Sequence, residues 1–323
     1  MATHQKGSTT LISVGEEGTP GTAATTGFKL PVNSDTVSGM FARTTPATLT
    51  GTRNPTVPFK GNTDVTGNIV IPIDIKAMWY WLQLMFGDPT TAGAGDPYTH
   101  TFKVGSTMPY FTHQKSFTDL DTDVFYQAVG CKISSAEISF GANAGDELTM
   151  TLNVVGWDET SESSTAFSVS ETAVVLTERL NNADAVLTEG GGACSIATAF
   201  NIRIDFGLDP KRVIGAGGLI GSTPENTVNV TGSISLLYDD DAETIIGKGA
   251  ADTESALVLT LTSASDSNHS LIFDIGELLY SYKSPEVTGP TGLEVTLDFG
   301  AYYSNDADAS VIKVVLANAD AHA

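Results

Sequence analysis

The run Thr149–Val155 reads TMTLNVV, and the same alternation of apolar and polar residues returns at Asn201–Phe206 (NIRIDF), Leu257–Leu261 (LVLTL) and Leu293–Phe299 (LEVTLDF). Successive side chains of an extended strand point to opposite faces, so a period of two in Val, Ile, Thr and Leu predicts strands buried on one face and wet on the other. Gly, Pro, Asn and Asp separate the runs and supply turns. The expected class is mainly β, built from antiparallel sheets.

One stretch breaks the period: DVTGNIVIPIDIKAMWYWLQLMFG, residues 64–87. Asp74 is placed to cap a helix over about Ile75–Phe86, and Gly87 before Asp88-Pro89 supplies its stop. Such a helix spans roughly 18 Å, short of the ~30 Å of a hydrocarbon core, so it is not expected to insert in a membrane. Its apolar residues, Trp79 and Trp81 among them, cover nearly the whole circumference and predict burial against a sheet.

Val65-Thr66-Gly67-Asn68-Ile69 returns 165 residues later as Val230-Thr231-Gly232-Ser233-Ile234. The second copy runs into SLLYDDDAETIIGKG, where Asp239–Asp241 favour a helix N-terminus. This helix, about 239–248, is expected to be shorter and more polar than the first. LTMTLNVVGW (148–157) likewise corresponds to LEVTLDFGAY (293–302). Two similar β domains are expected, 8–157 and 196–318, with an N-terminal arm 1–7, a Ser/Thr/Glu/Gly-rich linker 158–195 carrying short strands, and a C-terminal tail 319–323. The Gly/Pro/Asn-rich tracts 50–64 and 207–226 precede the two VTG strands and are candidates for reaching a neighbouring molecule.

The 323 residues carry 38 acidic and 16 basic side chains, a formal charge of −22. Gripping phosphates takes clustered Lys and Arg, so a nucleic-acid-gripping role is disfavoured. Cys131 and Cys194 are too few for a disulfide framework and do not form a C-x-x-C motif; both are expected as free thiols of a cytoplasmically made protein. MATHQKGSTTLISVGEEGTP has neither the basic nor the long apolar region of an export signal.

Catalytic, cofactor and metal residues are all expected to be absent. There is no G-x-S-x-G, H-E-x-x-H or phosphate-loop motif. His4, His100, His113, His269 and His322 form no metal-spaced pair in sequence, which leaves a spatial cluster open. Asp119, Asp121 and Asp123 have the spacing of a calcium loop, but Val124 stands where glycine is needed and Gly130 where the bidentate Glu belongs. Gly215, Gly217, Gly218 and Gly221 miss the dinucleotide-loop spacing and precede a strand.

From about Gly15 to Asn318 the sequence resembles the tail tube proteins of long-tailed, siphophage-type bacteriophages. The stretches that carry the resemblance are GTPGTAATTGFKLPV (18–32), TGTRNPTVPFKGNTDVTGNI (50–69), the helix ending Phe86-Gly87, PYTHTF (97–102), YQAVGCKISSAEISF (126–140) and VNVTGSISLLYDD (228–240). The resemblance implies, for each domain, a pair of packed antiparallel sheets (sandwich- or barrel-like) with a flanking helix. It further implies a non-enzymatic virion protein, assembled in the host cytoplasm, whose rings stack into a hollow tube that passes double-stranded DNA. Partners would be further copies of itself and other tail proteins, such as tape measure, tail-tip and terminator proteins. Family rings commonly present six tube domains, so two per chain predicts a trimer with pseudo-sixfold symmetry, a homohexamer being the alternative. An acidic lumen would let DNA slide. The tube of bacterial type VI secretion is a related structural alternative. A carbohydrate-binding or adhesive extracellular β module is the alternative of another class, and would show a sugar-stacking aromatic cleft.

Overall fold

In the computed structural model, which describes residues 4–322 apart from 142–146, 169–170, 288, 291 and 306, all four alternating runs are strands. Of the expected arm, residues 1–3 lie outside the described residues, as does residue 323 of the tail.

After a 3-10 turn at Gly7–Thr9, the first half supplies β1 (Leu11–Glu16), β2 (Gly27–Lys29), β3 (Ser34–Asp35), β4 (Ser38–Thr44) and β5 (Phe59–Pro72). Helix α1 (Met78–Phe86) follows, then β6 (Thr90–Ala92), β7 (Tyr98–Lys103), β8 (Phe111–Phe117), β9 (Val124–Gly141) and β10 (Thr149–Gly156). Next come β11 (Asp158–Ser163), β12 (Glu171–Ala173), β13 (Ala185–Glu189), β14 (Gly192–Ala193) and β15 (Ala197–Asp205). The chain continues through β16 (Lys211–Arg212), β17 (Ile220–Ser222), β18 (Asn229–Leu237), α2 (Asp240–Ala250), β19 (Ser255–Thr262), β20 (Ser270–Tyr280), β21 (Glu294–Ala301) and β22 (Lys313–Asn318).

The pairings repeat. β1 pairs with β2 and β8, β8 with β9, β9 with β10, β10 with β5 and β5 with β4, all antiparallel. In the same chain order β13 pairs with β14 and β19, β19 with β20, β20 with β21, β21 with β18 and β18 with β15, again antiparallel. The two sequence correspondences belong to one register: Thr66 faces Val155, and its counterpart Thr231 faces Gly300. The glycine of each VTG has a common cause as well. A Cβ on Gly67 would lie 2.5 Å from the Val37 backbone, and one on Gly232 would lie 2.2 Å from the Asn201 carbonyl. Each thus lets the neighbouring stretch of chain approach closely.

β9 changes sheets along its length. Its first part pairs with β8 and β11, while the part after Cys131 pairs with β10 and β15. The change falls at Gly130, whose φ of +64 disfavours any side chain, and a Cβ there would run into the Trp157 indole. A strand that switches sheets in this way makes the corner of a sandwich.

Strand pairing crosses between the halves at two places. Residues Ser135–Gly141 of β9 pair with Ala199–Asp205 of β15, and the last strand, β22, pairs with β20 and with β7 of the first half. Strand order across the shared sheet is β4-β5-β10-β9-β15-β18-β21-β20. The architecture is mainly β, antiparallel and of the β-sandwich class. The one parallel pairing among the described strands is β12 on β2. The segment 158–195 contributes β11, β12 and the hairpin β13–β14, which adds to β19.

α1 begins three residues later than the sequence predicts. The Asp74 carboxylate accepts the N–H groups of Lys76 and Ala77, so residues 75–77 form a turn that leads into the helix. The other Asp74 oxygen accepts the Glu178 N–H, which ties the turn to the connecting segment. Gly87 ends the helix with φ +83. Met78, Trp79, Trp81, Leu82, Leu84, Met85 and Phe86 are all buried, as their apolar girdle predicts.

α2 corrects one expectation, for it is longer than α1, with 11 residues against 9. Asp239 accepts the N–H groups of Asp241 and Ala242, three acidic residues occupy the first turn and Lys248 the last, so dipole and caps extend a helix that buries little. Its buried residues, Ala242, Ile245, Ile246 and Gly249, form a single stripe, and it is the more polar helix, as expected.

Candidate functional site: the shared sheet face and the protruding hairpin

Across the shared sheet the apolar members of each strand face the core and their alternates face out. On β10 the buried set is Met150, Leu152 and Val154, while Thr149, Thr151, Asn153 and Val155 stand on the other face. Register carries that face across the halves. Asn68 lies beside Asn153, Asn153 beside Ser135, Ser135 beside Asp205 and Asp205 beside Asn229. A parallel row runs from Thr151 through Glu137 and Arg203 to Thr231. The result is a carpet of Thr, Ser and Asn with few charges.

Those charges are mostly negative. Asp64, Glu137, Asp205, Glu294 and Asp298 lie on this face, against Arg203 on β15 and Arg212, which reaches Asp64 from the 207–226 tract. Arg203 is partly neutralised by Glu137, 3.5 Å away across the β9–β15 seam. The polar groups hold one another in place. Asn153 donates to Ser135 at 2.9 Å, Asn201 donates to Ser139 at 2.8 Å, and the Ser235 and Thr296 hydroxyls share a bond of 2.7 Å.

β4 and β5 continue beyond this sheet as a hairpin. Met40, Phe41, Leu49, Val57 and Phe59 on it are exposed, Leu49 completely. Arg43 and Lys60 sit over the Phe41 ring at 5.3 and 4.5 Å. Apolar residues massed on an exposed arm mark a contact surface.

The tract 207–226 behaves differently from its sequence counterpart at 50–64, since it straps onto the first half of its own chain. Thr223 accepts the Trp157 indole N–H at 2.8 Å, and Glu225 pairs with the buried Lys132, whose ammonium lies 3.9 Å from the Tyr110 ring centre. Burial alone would raise the Glu225 carboxyl; Lys132 and the Met108 N–H outweigh it and hold it below the ordinary range. Arg212 donates to the Thr63 carbonyl at 2.9 Å and pairs with Asp64.

Among the described residues one group of three potential metal ligands converges: Asp96 with Asp266 and His269, the first far from the other two in sequence. Both nitrogens of His269 are already engaged, Nδ1 with Glu178 at 2.9 Å and Nε2 with Asp96 at 2.7 Å, so the group works as an ionic clamp between the halves. Asp119, Asp121 and Asp123 do not converge. Burial acts to raise the thiols of Cys131 and Cys194, leaving both in the unreactive protonated form. No helix among the described residues is long and apolar enough to cross a membrane.

Sequence reasoning located the VTG strands and both helices. It missed the His269 clamp and the strapping role of 207–226, because neither has a local pattern; only the β22–β7 and β9–β15 pairings bring their parts together.

No curated protein matches the chain. A family model described as phage tail tube protein matches residues 7–301. That match spans nearly the whole chain and both of its repeated halves, and it agrees with a mainly antiparallel β architecture: the chain belongs to the phage tail tube protein family, a structural component of the virion tail that is assembled in the host cytoplasm.

Proposed function

We propose that the chain forms the wall of the tail tube as stacked rings of three copies, each copy contributing two tandem units, 8–157 and 196–318, joined through 158–195, whose β13–β14 hairpin completes the second unit. The observation that carries this reading is the repetition of six strand pairings in one order, with the two copies fused into a single sheet through β9 and β15. Each seam of that kind turns a sheet edge into an interior pair, and a closed set of them leaves no edge exposed.

The polar face of the shared sheet then lines the channel. Duplex DNA carries about one charge per 1.7 Å of axis, so a lining of hydroxyls and amides with five carboxylates, and with Arg203 and Arg212 each paired to one of them, offers it no sequence of phosphate contacts. Net repulsion keeps the duplex centred and mobile. The apolar β4–β5 hairpin reaches the adjacent ring. Tape measure, tail-tip and terminator proteins are its further partners.

Electron microscopy of assembled tubes tests the reading. Threefold rings with pseudo-sixfold symmetry and an acidic lumen are expected. Six complete chains per ring, or a net-basic lumen, would overturn the corresponding part.

A further inference from the structure

The junction inside the chain is a template for the junction between chains. β3–β4 stands to β5 as β15 stands to β18: Ser34 faces Val70 and Ser38 faces Thr66, while Ala199 faces Ser235 and Arg203 faces Thr231. β15 is paired on both sides, but among the described residues no strand pairs with the outer side of β3–β4. At the other end, β20 stands to β21 as β9 stands to β10, since Leu279–Gly300 and Tyr280–Phe299 repeat Lys132–Val155 and Ile133–Val154. Continuing this correspondence puts Tyr282–Val287 where β9 has the segment that holds β15. In the chain these residues belong to no strand, and Tyr282 and Val287 are 61% and 77% exposed.

We propose that Tyr282–Val287 of one copy pairs antiparallel with Asp35–Met40 of the next, in the register that β9 uses on β15. This rests on the ring reading above and assigns its seam. The expected partners are Met40 with Tyr282, Gly39 with Lys283, Ser38 with Ser284, Val37 with Pro285, Thr36 with Glu286 and Asp35 with Val287. Contact of this head-to-tail kind between identical copies generates a ring when the rotation closes.

The backbone chemistry of the open edge fits that register. In β15 the Phe206 N–H donates to the Ser134 carbonyl at 2.9 Å, so the matching outward residues of the open edge are Val37, Gly39 and Phe41. Three of their groups are capped within the chain. Val37 N–H donates to the Asp35 carboxylate at 2.9 Å, Lys115 donates to the Val37 carbonyl, and Gly39 N–H donates to Glu159 at 2.8 Å. Such caps keep an isolated copy from adding strands indiscriminately. Pro285 is the residue expected opposite Val37. Lacking an N–H, it loses no partner when the Val37 carbonyl stays with Lys115. At Gly39 the Lys283 carbonyl takes the place of Glu159.

The clefts beside the two seams agree. At the internal seam, a cleft of about 320 Å³ is walled by Phe140 and Gly141 against Leu187, Ala199 and Phe200. Its counterpart in the first half, about 560 Å³ between Leu11, Ile12, Leu30 and Pro31, has no wall from a β9-like strand. Val287 is the residue in the place of Phe140.

Cysteine trapping on the full chain tests the seam. Under mild oxidation, assembled S38C/S284C is expected to give covalent oligomers that end at a closed three-chain species and revert on reduction. Neither single variant should do so, despite the native Cys131 and Cys194. A second variant, K283P/V287P, removes two N–H groups that the seam would use and that have no partner among the described residues. It should keep the wild-type circular dichroism and Tm while losing ring formation at least tenfold. Wild-type rings accompanied by uncrosslinked S38C/S284C rings, or by K283P/V287P rings at wild-type yield, would overturn the seam and leave the ring reading standing. If the cysteine pair itself blocks assembly, the proline pair decides. A wild-type chain that remains monomeric at all concentrations, and with a tail-tip initiator, would overturn both.

Discussion

The His322 imidazole lies stacked on the Trp79 indole, with ring centres 4.3 Å apart and planes 10° from parallel. This contact folds the end of the chain over α1. Burial pushes the His322 pKa down to about 4, with His100 and Lys76 adding to the effect and Asp320 opposing it. A lowered histidine value means that docking contributes fully above the unfolded value of about 6.5 and is lost as pH falls from there toward 4. An NMR titration should find one imidazole still neutral at pH 5, and H322A should abolish that signal with little effect on the core.

The His269 clamp should respond in the opposite sense. Burial acts to lower its pKa, but the hydrogen bonds that it donates to Asp96 and Glu178 outweigh burial and hold it above the ordinary value. Its contribution is therefore complete below about pH 6.5 and fades as pH rises through the raised native value. Because Asp96 is half exposed, D96N is expected to cost only about 1 kcal/mol at pH 5.5 and less at pH 9, read from urea unfolding at the two pH values. A larger loss at pH 9 would contradict the clamp.

The two VTG glycines should fail alike. Gly67→Ala and Gly232→Ala each place a methyl against the adjacent backbone, at 2.5 and 2.2 Å. Overpacking of this kind costs typically about 1–3 kcal/mol, and both variants should show it in thermal unfolding, whereas Gly247→Ala, with open space around it, should not.

Core and contact roles separate on two variants. Trp81 is fully buried, so Trp81→Ala should lower stability by about 3–5 kcal/mol. L49S/V57S on the exposed hairpin should leave monomer stability within about 0.5 kcal/mol, yet reduce tube length in electron micrographs.

The charge of the sheet face is testable by reversal. Wild-type assemblies should show no measurable affinity for duplex DNA at physiological salt. E137K/D205K/D298K should retain DNA, with an affinity that falls steeply as salt rises. DNA release by wild-type and variant tubes at equal rates would remove any role for the lining charge.

Much of this architecture was legible because it is local. Alternation marks a strand wherever one face is buried, and Thr149–Gly156 follows it residue by residue. Asp239 and Gly87 mark helix ends because capping is settled within a few residues. The order of the two helix lengths was misjudged: residues 75–77 form a turn that shortens α1, while Gly249 and Ala250, which look like loop composition, extend α2, with Gly249 packed under the Tyr280 backbone. Least legible were the contacts between halves. The Lys132–Glu225 pair and the His269 clamp join residues some 90 positions or more apart, and no periodicity encodes such a meeting.

The covalent fusion of two similar units bears on how a wall is nucleated. In a ring of three chains, half of the six seams are closed before any encounter, because β9 and β15 travel on one polypeptide. Only the other three seams need a collision, and each collision brings a prefabricated arc of two units with its internal geometry already set. Translational and rotational freedom is lost in fewer events, each worth several kcal/mol by common estimates. A ring of the proposed kind would therefore approach all-or-none formation: partial arcs would be few in kind, and the last copy to enter would close two seams at once.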